Sequence, residues 1–300
     1  MALTTAPPRR VLSITLKLQL MCLSRLSKST FRIFLTSPSL AEQLYQKSTH
    51  FLLELVQNAD DTQYGVENPT LHLTCNENRL RIDCNETGFT PKDVDAICSI
   101  GQSSKAGAGV STQYVGEKGI GFKSVFKVAD VVWVCSGAYE FKFDKNTKLG
   151  MIAPILAKFP SRRSGWTSFY LQFSREYNAQ ELISDLASFR ARLLIFLRRL
   201  RKIIVTIDGP GENQITRILT KAEGEIYGKE AIYLEEDSTR MTYIIHRYQA
   251  QNLPREEKRD GVTESELLLA FSVDDKNQPK VDSQEVFAYL PVRDYGFKVR

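Results

Sequence analysis

The chain has 300 residues, 42% hydrophobic and 25% charged, which is typical of a folded protein long enough to bury a sizeable core. It has no run of eighteen apolar residues, which excludes a transmembrane helix, and its five scattered cysteines and three histidines exclude a disulfide framework and a zinc site. The net charge is +5, but residues 1–41 hold six bases and no acid, and the rest is nearly neutral, which disfavours a general nucleic-acid-binding surface.

Residues 1–38 are predicted to be a basic, disordered arm, or sequence that does not belong to the native protein. An acid-free, Ser/Thr-rich arm is also typical of a transit peptide, so mitochondrial targeting is an alternative. The cysteine usage indicates a reducing compartment, and we expect an intracellular protein, cytoplasmic or nuclear.

The first domain is predicted over residues 39–205, and it opens with a helix over 39–61. Glu54, Asn58 and Asp61 are spaced four and three apart in this helix, so they share one face. The other faces are apolar. This polar stripe is either the wall of a ligand site or the solvent-facing side of a half-buried helix.

Two short apolar runs, "LHLTC" and "LRIDC", flank a polar turn at 76–78 and predict a β-hairpin. The polar segment "DCNETGFT" follows the second strand. Thr90 is then the predicted N-cap of a short helix, with Pro91 at its first position and Asp93 three residues after the cap.

Residues 101–118 are small, polar and Gly-rich, which predicts a mobile loop. Next, "GEKGIGFKS" places three glycines directly before a predicted helix, a combination that suits phosphate binding. Because Phe122 separates the glycine from the lysine, a Walker A loop does not fit, and neither does G-x-G-x-x-G. The alternative is a tight turn before a buried helix.

The strands "VVWVCS", "YEFKF" and "TSFYLQFS" follow, and one apolar face over residues 178–202 predicts a long helix. Residues 203–300 are rich in strand patterns, with a polar loop predicted near 250–263. The segment 206–300 is therefore predicted to be a separate β-rich module.

In their order along the chain, these motifs resemble those of the GHKL ATPases, the superfamily of gyrase, heat-shock chaperones, histidine kinases and MutL. "ELVQNADD" is similar to the N-box, and "CNETGF" stands where the first glycine box belongs. "GEKGIGFKSVFKVAD" resembles the second glycine box, and "GWTSFYLQF" resembles the last. The residues of these motifs are most similar to those of the sacsin and NO VEIN-like branch, and the resemblance covers about residues 40–205.

The resemblance implies a role for each matching residue. Glu54 would be the general base that activates the water attacking the γ-phosphate, Asn58 would bind Mg²⁺, and Asp61 would lie near the nucleotide. Residues 101–115 would form a lid over ATP. The remaining implied nucleotide contacts are Ser104, Lys105, Gly116, Lys118, Gly119, Ile120, Gly121, Phe122, Lys123, Gly88, Phe89 and Thr167.

One position departs from the family pattern D-x-G-x-G, whose aspartate accepts a hydrogen bond from the adenine amine. With Gly88 as the anchor, Cys84 stands at the aspartate and Glu86 at the first glycine. Cysteine is a poor acceptor. Asp83, Asn85 or Glu86 could accept instead, and Asn85 and Asp83 are favoured.

The resemblance implies an α+β fold of the Bergerat type, a mixed, mostly antiparallel sheet with helices on one face. A partial β-rich module, similar to the start of the chaperone middle domain, would follow it. The expected function is ATP binding with slow Mg²⁺-dependent hydrolysis, which drives lid closure in a chaperone-like protein that acts on a protein client. A non-catalytic, nucleotide-gated interaction module is the alternative, and a homodimer is left open.

Overall fold

The computed structural model describes residues 50–98, 121–209, 213–251, 264–280, 283–288 and 290–298. The fold is α+β, with a mostly antiparallel β-structure and few helices, which confirms the predicted class. The described residues divide into two compact units, one formed by the chain up to Ala187 with Val205–Ile215, the other by Ser188–Ile204 with Thr216 onward. No helix in the described ranges is long and apolar enough to cross a membrane.

The first unit is built on a sheet whose strands lie in the spatial order β7-β1-β2-β6-β3-β4-β5. The predicted hairpin is confirmed, because β1 and β2 pair antiparallel from Leu71 opposite Cys84 to Asn76 opposite Arg79. The strands in chain order are β1 (Thr70–Asn76), β2 (Arg79–Cys84), β3 (Ala129–Ser136), β4 (Tyr139–Asp144), β5 (Ile155–Leu156), β6 (Thr167–Phe173) and β7 (Lys202–Asp208).

Three α-helices and one 3₁₀ helix accompany this sheet in the described part of the unit. They are α1 (His50–Asp60), α2 (Pro91–Cys98), the 3₁₀ helix Gly121–Lys127 and α3 (Gln180–Ala187). The predicted start of α2 is confirmed: the Thr90 amide and hydroxyl donate to Asp93 Oδ2 at 2.8 and 2.6 Å, which ties the cap to the third helical residue.

The long helix predicted over 178–202 is wrong. The structure has α3 up to Ala187, then a 3₁₀ helix over Ala191–Phe196, and β7 begins at Lys202. Partners distant in sequence stabilise the interruption, because Glu236 accepts the Ala191 amide at 2.9 Å and Arg217 donates to the Phe189 carbonyl at 2.8 Å. These contacts provide backbone partners that a continuous helix would otherwise supply.

The second unit contains the 3₁₀ helix Ala191–Phe196 and an antiparallel meander of four strands. Leu219, Leu234 and Tyr243 of the meander are buried, and the Tyr243 hydroxyl accepts a hydrogen bond from Arg192 Nε at 2.9 Å. Two further strands form a hairpin. The strands are β8 (Gln214–Ile226), β9 (Lys229–Glu236), β10 (Thr239–Gln251), β11 (Glu264–Val273), β12 (Ser283–Ala288) and β13 (Leu290–Lys298).

Candidate functional site

The polar stripe of α1 lies beside a buried apolar side. Phe51, Leu52 and Val56 are almost fully buried, whereas Glu54 and Asn58 are half-buried. Asp61 follows the last helical residue, but its amide still donates to the Gln57 carbonyl at 3.0 Å, as it would in a continuing helix. Asp61 is buried, with 6% of its surface exposed.

The end of α1 is fixed by two hydroxyl groups that both cap the Ala59 carbonyl. Thr62 Oγ1 donates to the Ala59 carbonyl at 3.0 Å, and the Tyr64 hydroxyl donates to the same carbonyl at 2.7 Å. Helix ends leave carbonyls without intrahelical partners, and these contacts satisfy one of them. α1 also packs against the 3₁₀ helix Gly121–Lys127, so the helix that carries the polar stripe contacts the element that begins at Gly121.

One aromatic ring joins the two glycine segments. The Phe169 ring of β6 lies 5.6 Å from the Phe122 ring and 6.1 Å from the Phe89 ring, measured between centroids. Phe122 is the second residue of the 3₁₀ helix, directly after Gly121, and Phe89 follows Gly88. The pairs Gly88–Phe89 and Gly121–Phe122 are thus both anchored on β6 through an aromatic side chain.

Lys123 is held by backbone carbonyls of the protein. Its ammonium donates to the carbonyl oxygens of Ile97 at 2.6 Å and Met151 at 2.5 Å, and it lies 4.6 Å from the centre of the Phe143 ring. Two charge-assisted hydrogen bonds and a cation–π contact fix this charge in a structural role. The structure therefore orients the predicted phosphate contact Lys123 toward α2 and the segment around Met151.

A chain of hydrogen bonds connects the first glycine turn to the last strand. The Phe89 amide donates to Ser136 Oγ at 2.8 Å, and Ser136 Oγ lies 2.6 Å from Thr167 Oγ1. Burial raises the pKa of Glu86 above its ordinary value, and a hydrogen bond between Thr167 and the Glu86 carboxyl group opposes this effect only in part. Between these anchors, Gly88 has a φ of +95°, a conformation that favours glycine.

Cys84, at the position where the resemblance would place an adenine-binding aspartate, is buried. Its Sγ lies 3.0 Å from the Tyr64 hydroxyl, which also caps α1. Burial raises the pKa of the Cys84 thiol to about 12 and also raises the pKa of Tyr64. Cys84 therefore joins α1 to β2 as a neutral group.

Asp83 projects from the opposite face of the sheet, as the alternation along a strand requires. Arg81 binds its carboxylate through two hydrogen bonds of 2.8 and 2.9 Å, and Ser168 Oγ donates to Oδ1 at 2.5 Å. Asp83 is 3% exposed, so this face holds a buried ion pair. The structure separates Asp83 from the Thr167 side of the sheet.

Asn85 uses both ends of its amide to fix a neighbouring loop. Its Oδ1 accepts the Thr70 amide at 2.7 Å, and its Nδ2 donates to the Asn68 carbonyl at 3.0 Å. The Asn85 amide also donates to the Thr70 carbonyl at 3.3 Å. Two side-chain contacts and one backbone contact thus give Asn85 a structural role at the start of β1.

Several predicted site residues lie outside the described residues. These are Ser104, Lys105, Gly116, Lys118, Gly119 and Ile120, together with the predicted lid over 101–115 and the N-terminal arm. Within the described residues, the structure brings Gly88, Phe89, Phe122 and Thr167 together around β6, near the end of α1.

Three members of this site, Tyr64, Ser136 and Phe169, lie outside the residues that the sequence motifs predicted. Tyr64 follows α1 in an irregular segment, and Ser136 ends β3, so neither belongs to a motif. Phe169 lies two residues after Thr167 in β6, so the two side chains lie on the same face of the sheet. This spacing of two residues was the one signal in the sequence that could have predicted Phe169 as a member of the site.

No protein-family model matches the chain. The chain is 33% identical over 304 residues to Protein NO VEIN of Arabidopsis thaliana, an alignment that covers 92% of this chain and 11% of the relative. The chain is therefore related to NO VEIN. It spans about a tenth of the length of that relative, so the identity concerns one part of a much larger protein.

The metal ligands that α1 offers would suit a Mg²⁺ ion whose other ligands come mainly from a nucleotide. Asn58 offers an amide oxygen, the kind of hard ligand that Mg²⁺ prefers, and Mg²⁺ usually keeps several waters and phosphate oxygens. In the described part of the chain, no three His, Cys, Asp or Glu side chains come together as a metal site. A single side-chain ligand on α1 is thus compatible with Mg²⁺ that arrives with phosphates.

Proposed function

We propose that the first unit binds ATP with Mg²⁺ and hydrolyses it slowly, so that closure of residues 101–115 over the nucleotide switches the conformation of a chaperone-like protein. The observation that carries the proposal is the anchoring of both glycine segments on Phe169, beside a helix with a polar stripe. Glycine segments that open helices suit phosphates, and the half-buried stripe suits the metal and water of a hydrolytic site.

Glu54 and Asn58 lie one helical turn apart on α1 and divide the chemistry between them. Glu54 orients and deprotonates the water that attacks the γ-phosphate. Asn58 would hold Mg²⁺, which would supply positive charge to the phosphate oxygens. The backbone amides of the segment that ends at Gly121 and Phe122 bind the phosphates. Thr167 lies at the base end of the site.

A non-catalytic, nucleotide-gated module is the second candidate. The environment of Cys84 favours it, because the group at the family's adenine position is a buried thiol bound to Tyr64. In this case ATP would close residues 101–115 and change the affinity for a protein partner without turnover.

The two candidates are separated by titration calorimetry with Mg²⁺-ATP and Mg²⁺-ADP, followed by a phosphate-release assay on the same protein. We expect binding and slow turnover, and we expect Glu54→Gln to keep the ATP affinity within about 3-fold while turnover falls by about 100-fold or more. Glu176→Gln, a change at an exposed loop residue, is the matched control. Binding without turnover in the native chain would favour the module, and absence of ATP binding would refute both.

A further inference from the structure

An acid-free run of sequence gives the first unit a local concentration of positive charge. Residues 145–175 include six basic residues and no Asp or Glu. All six are exposed: Lys145, Lys148, Lys158, Arg162, Arg163 and Arg175. Arg162 pairs with Glu140 at 2.9 Å and Lys145 with Asp130 at 3.9 Å, whereas the other four form no ion pair within the described part of the chain. The positive charge is therefore confined to one region of a body that is otherwise nearly neutral.

The face of the sheet opposite Phe169 carries an aromatic pair between basic side chains. Four residues form one row across β4, β3, β6 and β2, each directly opposite the next: Lys142, Trp133, Tyr170 and Arg81. Directly opposite residues share a face of an antiparallel sheet, and Tyr170 follows Phe169 in β6, so the row points away from Phe169. The Trp133 and Tyr170 rings are half-buried, and their centroids lie 5.4 Å apart. This face therefore offers aromatic surface flanked by positive charge.

Flexible cations cover both rings at long distance. Lys142 Nζ lies 5.7 Å from the centre of the Trp133 ring, and the Arg79 guanidinium carbon lies 5.9 Å from the centre of the Tyr170 ring. Both distances are near the outer limit of a cation–π contact, about 6 Å. A planar ligand ring that stacks on Trp133 or Tyr170 can displace these side chains, which then remain close enough to contact negative charge on the same ligand.

The acid-free segment places basic residues at both ends of β6. Just before the strand, Arg163 stacks on Trp166, with 3.4 Å between the guanidinium carbon and the ring centre. Arg175 follows the last residue of the strand, and Lys145 lies at the same end, because its amide donates to the carbonyl of Asp130 at the start of β3, which pairs with the end of β6. The seven residues of β6 span about 23 Å, which suits a few nucleotides of an extended strand.

We propose that this face binds single-stranded nucleic acid. The nucleobases stack on the Trp133 and Tyr170 rings, and the phosphates contact the basic residues at the two ends of β6. A single strand offers both features, because its nucleobases are unpaired and its backbone is a polyanion. An acidic peptide matches the charge but not the aromatic surface, and a duplex keeps its nucleobases stacked inside. The inference does not depend on ATP binding, since this face lies opposite the one that holds the candidate site.

The test titrates the full chain with a fluorescein-labelled single strand of about 12 nucleotides, as DNA and as RNA, and follows anisotropy at several salt concentrations. We expect micromolar binding whose logarithm falls with the logarithm of salt with a slope of about −2 to −3, from three or four phosphate contacts. The chain contains two tryptophans, Trp133 and Trp166, and both lie on this face, so stacked nucleobases should also quench the intrinsic fluorescence. Heparin, a polyanion without aromatic rings, should not.

Substitutions separate stacking from charge. Trp133→Leu should weaken binding about 10-fold at an unchanged salt slope, because one stacked nucleobase is lost. Arg163→Gln combined with Arg175→Gln should flatten the slope by about 0.7 for each residue. Tyr227→Leu and Lys229→Gln, at exposed positions of the second unit, are the matched controls and should preserve both the affinity and the slope.

A duplex of the same sequence should bind more weakly than the single strand. If the duplex binds as tightly, if heparin quenches the tryptophans as the single strand does, or if a polyglutamate peptide of the same charge binds equally well, the face recognises charge alone and the proposal is overturned. Failure of both the DNA and the RNA strand to bind also overturns it. Should Trp133→Leu not fold, quenching in the native chain and the exposed arginine variants still decide the matter.

Discussion

Asp83 and Cys84 are neighbours in β2, yet they belong to different faces of the sheet and different interactions. The Asp83 carboxylate is bound by Arg81 and Ser168, and the Cys84 thiol is bound by Tyr64 from beyond the end of α1. Two adjacent residues of β2 thus belong to an ion pair on one face and to the candidate site on the other. Substitutions at the two residues should have different consequences.

Asp83→Asn should lower the free energy of unfolding by about 2–3 kcal/mol, because it weakens charged hydrogen bonds from Arg81 and Ser168 in a buried place. The ATP affinity of the folded variant should stay within about 3-fold of native. Urea unfolding and calorimetry measure the two quantities. Asp130→Asn, which removes a longer ion pair of 3.9 Å with Lys145, should cost well under 1 kcal/mol. A large loss of ATP affinity in folded Asp83→Asn would instead place Asp83 in the base site.

Lys123→Met should lower stability by about 1–3 kcal/mol, because the carbonyls of Ile97 and Met151 lose their charged donor. We expect the ATP affinity of the folded variant to change by less than about 3-fold, since the ammonium is directed at these carbonyls. Thermal unfolding and calorimetry check both expectations. Lys127→Met, an exposed residue of the same 3₁₀ helix, is the control. A tenfold loss of affinity at unchanged stability would show that Lys123 contacts phosphate.

Arg217→Lys should destabilise the second unit despite the conserved charge. The guanidinium donates to Glu236 at 2.7 Å and to the Phe189 carbonyl at 2.8 Å, a fork that a lysine ammonium cannot reproduce. We expect a loss of about 2 kcal/mol and faster amide exchange over residues 188–197, measured by hydrogen exchange with mass spectrometry. Arg240→Lys, at an exposed position of β10, should leave exchange unchanged. Native exchange in Arg217→Lys would contradict this role of the fork.

Stability should fall as the pH rises above about 9. Burial raises the pKa of Cys75, Cys84 and Tyr177 to about 12, so the unfolded chain releases these protons at lower pH than the folded chain does. Their contribution is complete below the unfolded pKa and is lost as the pH rises to 12, at up to about 1.4 kcal/mol per pH unit for each group. Urea unfolding at several pH values measures this slope, and Cys84→Ala should flatten it. A stability that is constant from pH 9 to 12 would contradict the effect.

Local signals in the sequence predicted much of the first unit. Thr90 and Asp93 lie three residues apart, and that spacing alone fixes the start of α2. The turn at 76–78 likewise fixes the hairpin of β1 and β2, because it separates two alternating runs. The break after Ala187 was not predictable, since it depends on Arg217 and Glu236, whose positions are known only from the folded meander.

The candidate site shows the same limit. Side chains alternate between the two faces of β2, so the sequence implies that Asp83 and Cys84 point in opposite directions. It does not show which residues they contact, because those partners are distant in sequence. Lys123 follows a glycine segment and therefore looked like a phosphate contact. Only the positions of Ile97 and Met151 show that its charge is already bound.

The contact of the Phe169 ring with both Phe89 and Phe122 has an evolutionary consequence. A change in the size of any one of these three rings alters the packing at both glycine segments, so it requires compensation at the other two. The turn at Gly88 and the start of the 3₁₀ helix at Gly121 should therefore change together in evolution rather than independently. Among relatives of this chain, the three positions should covary in side-chain volume.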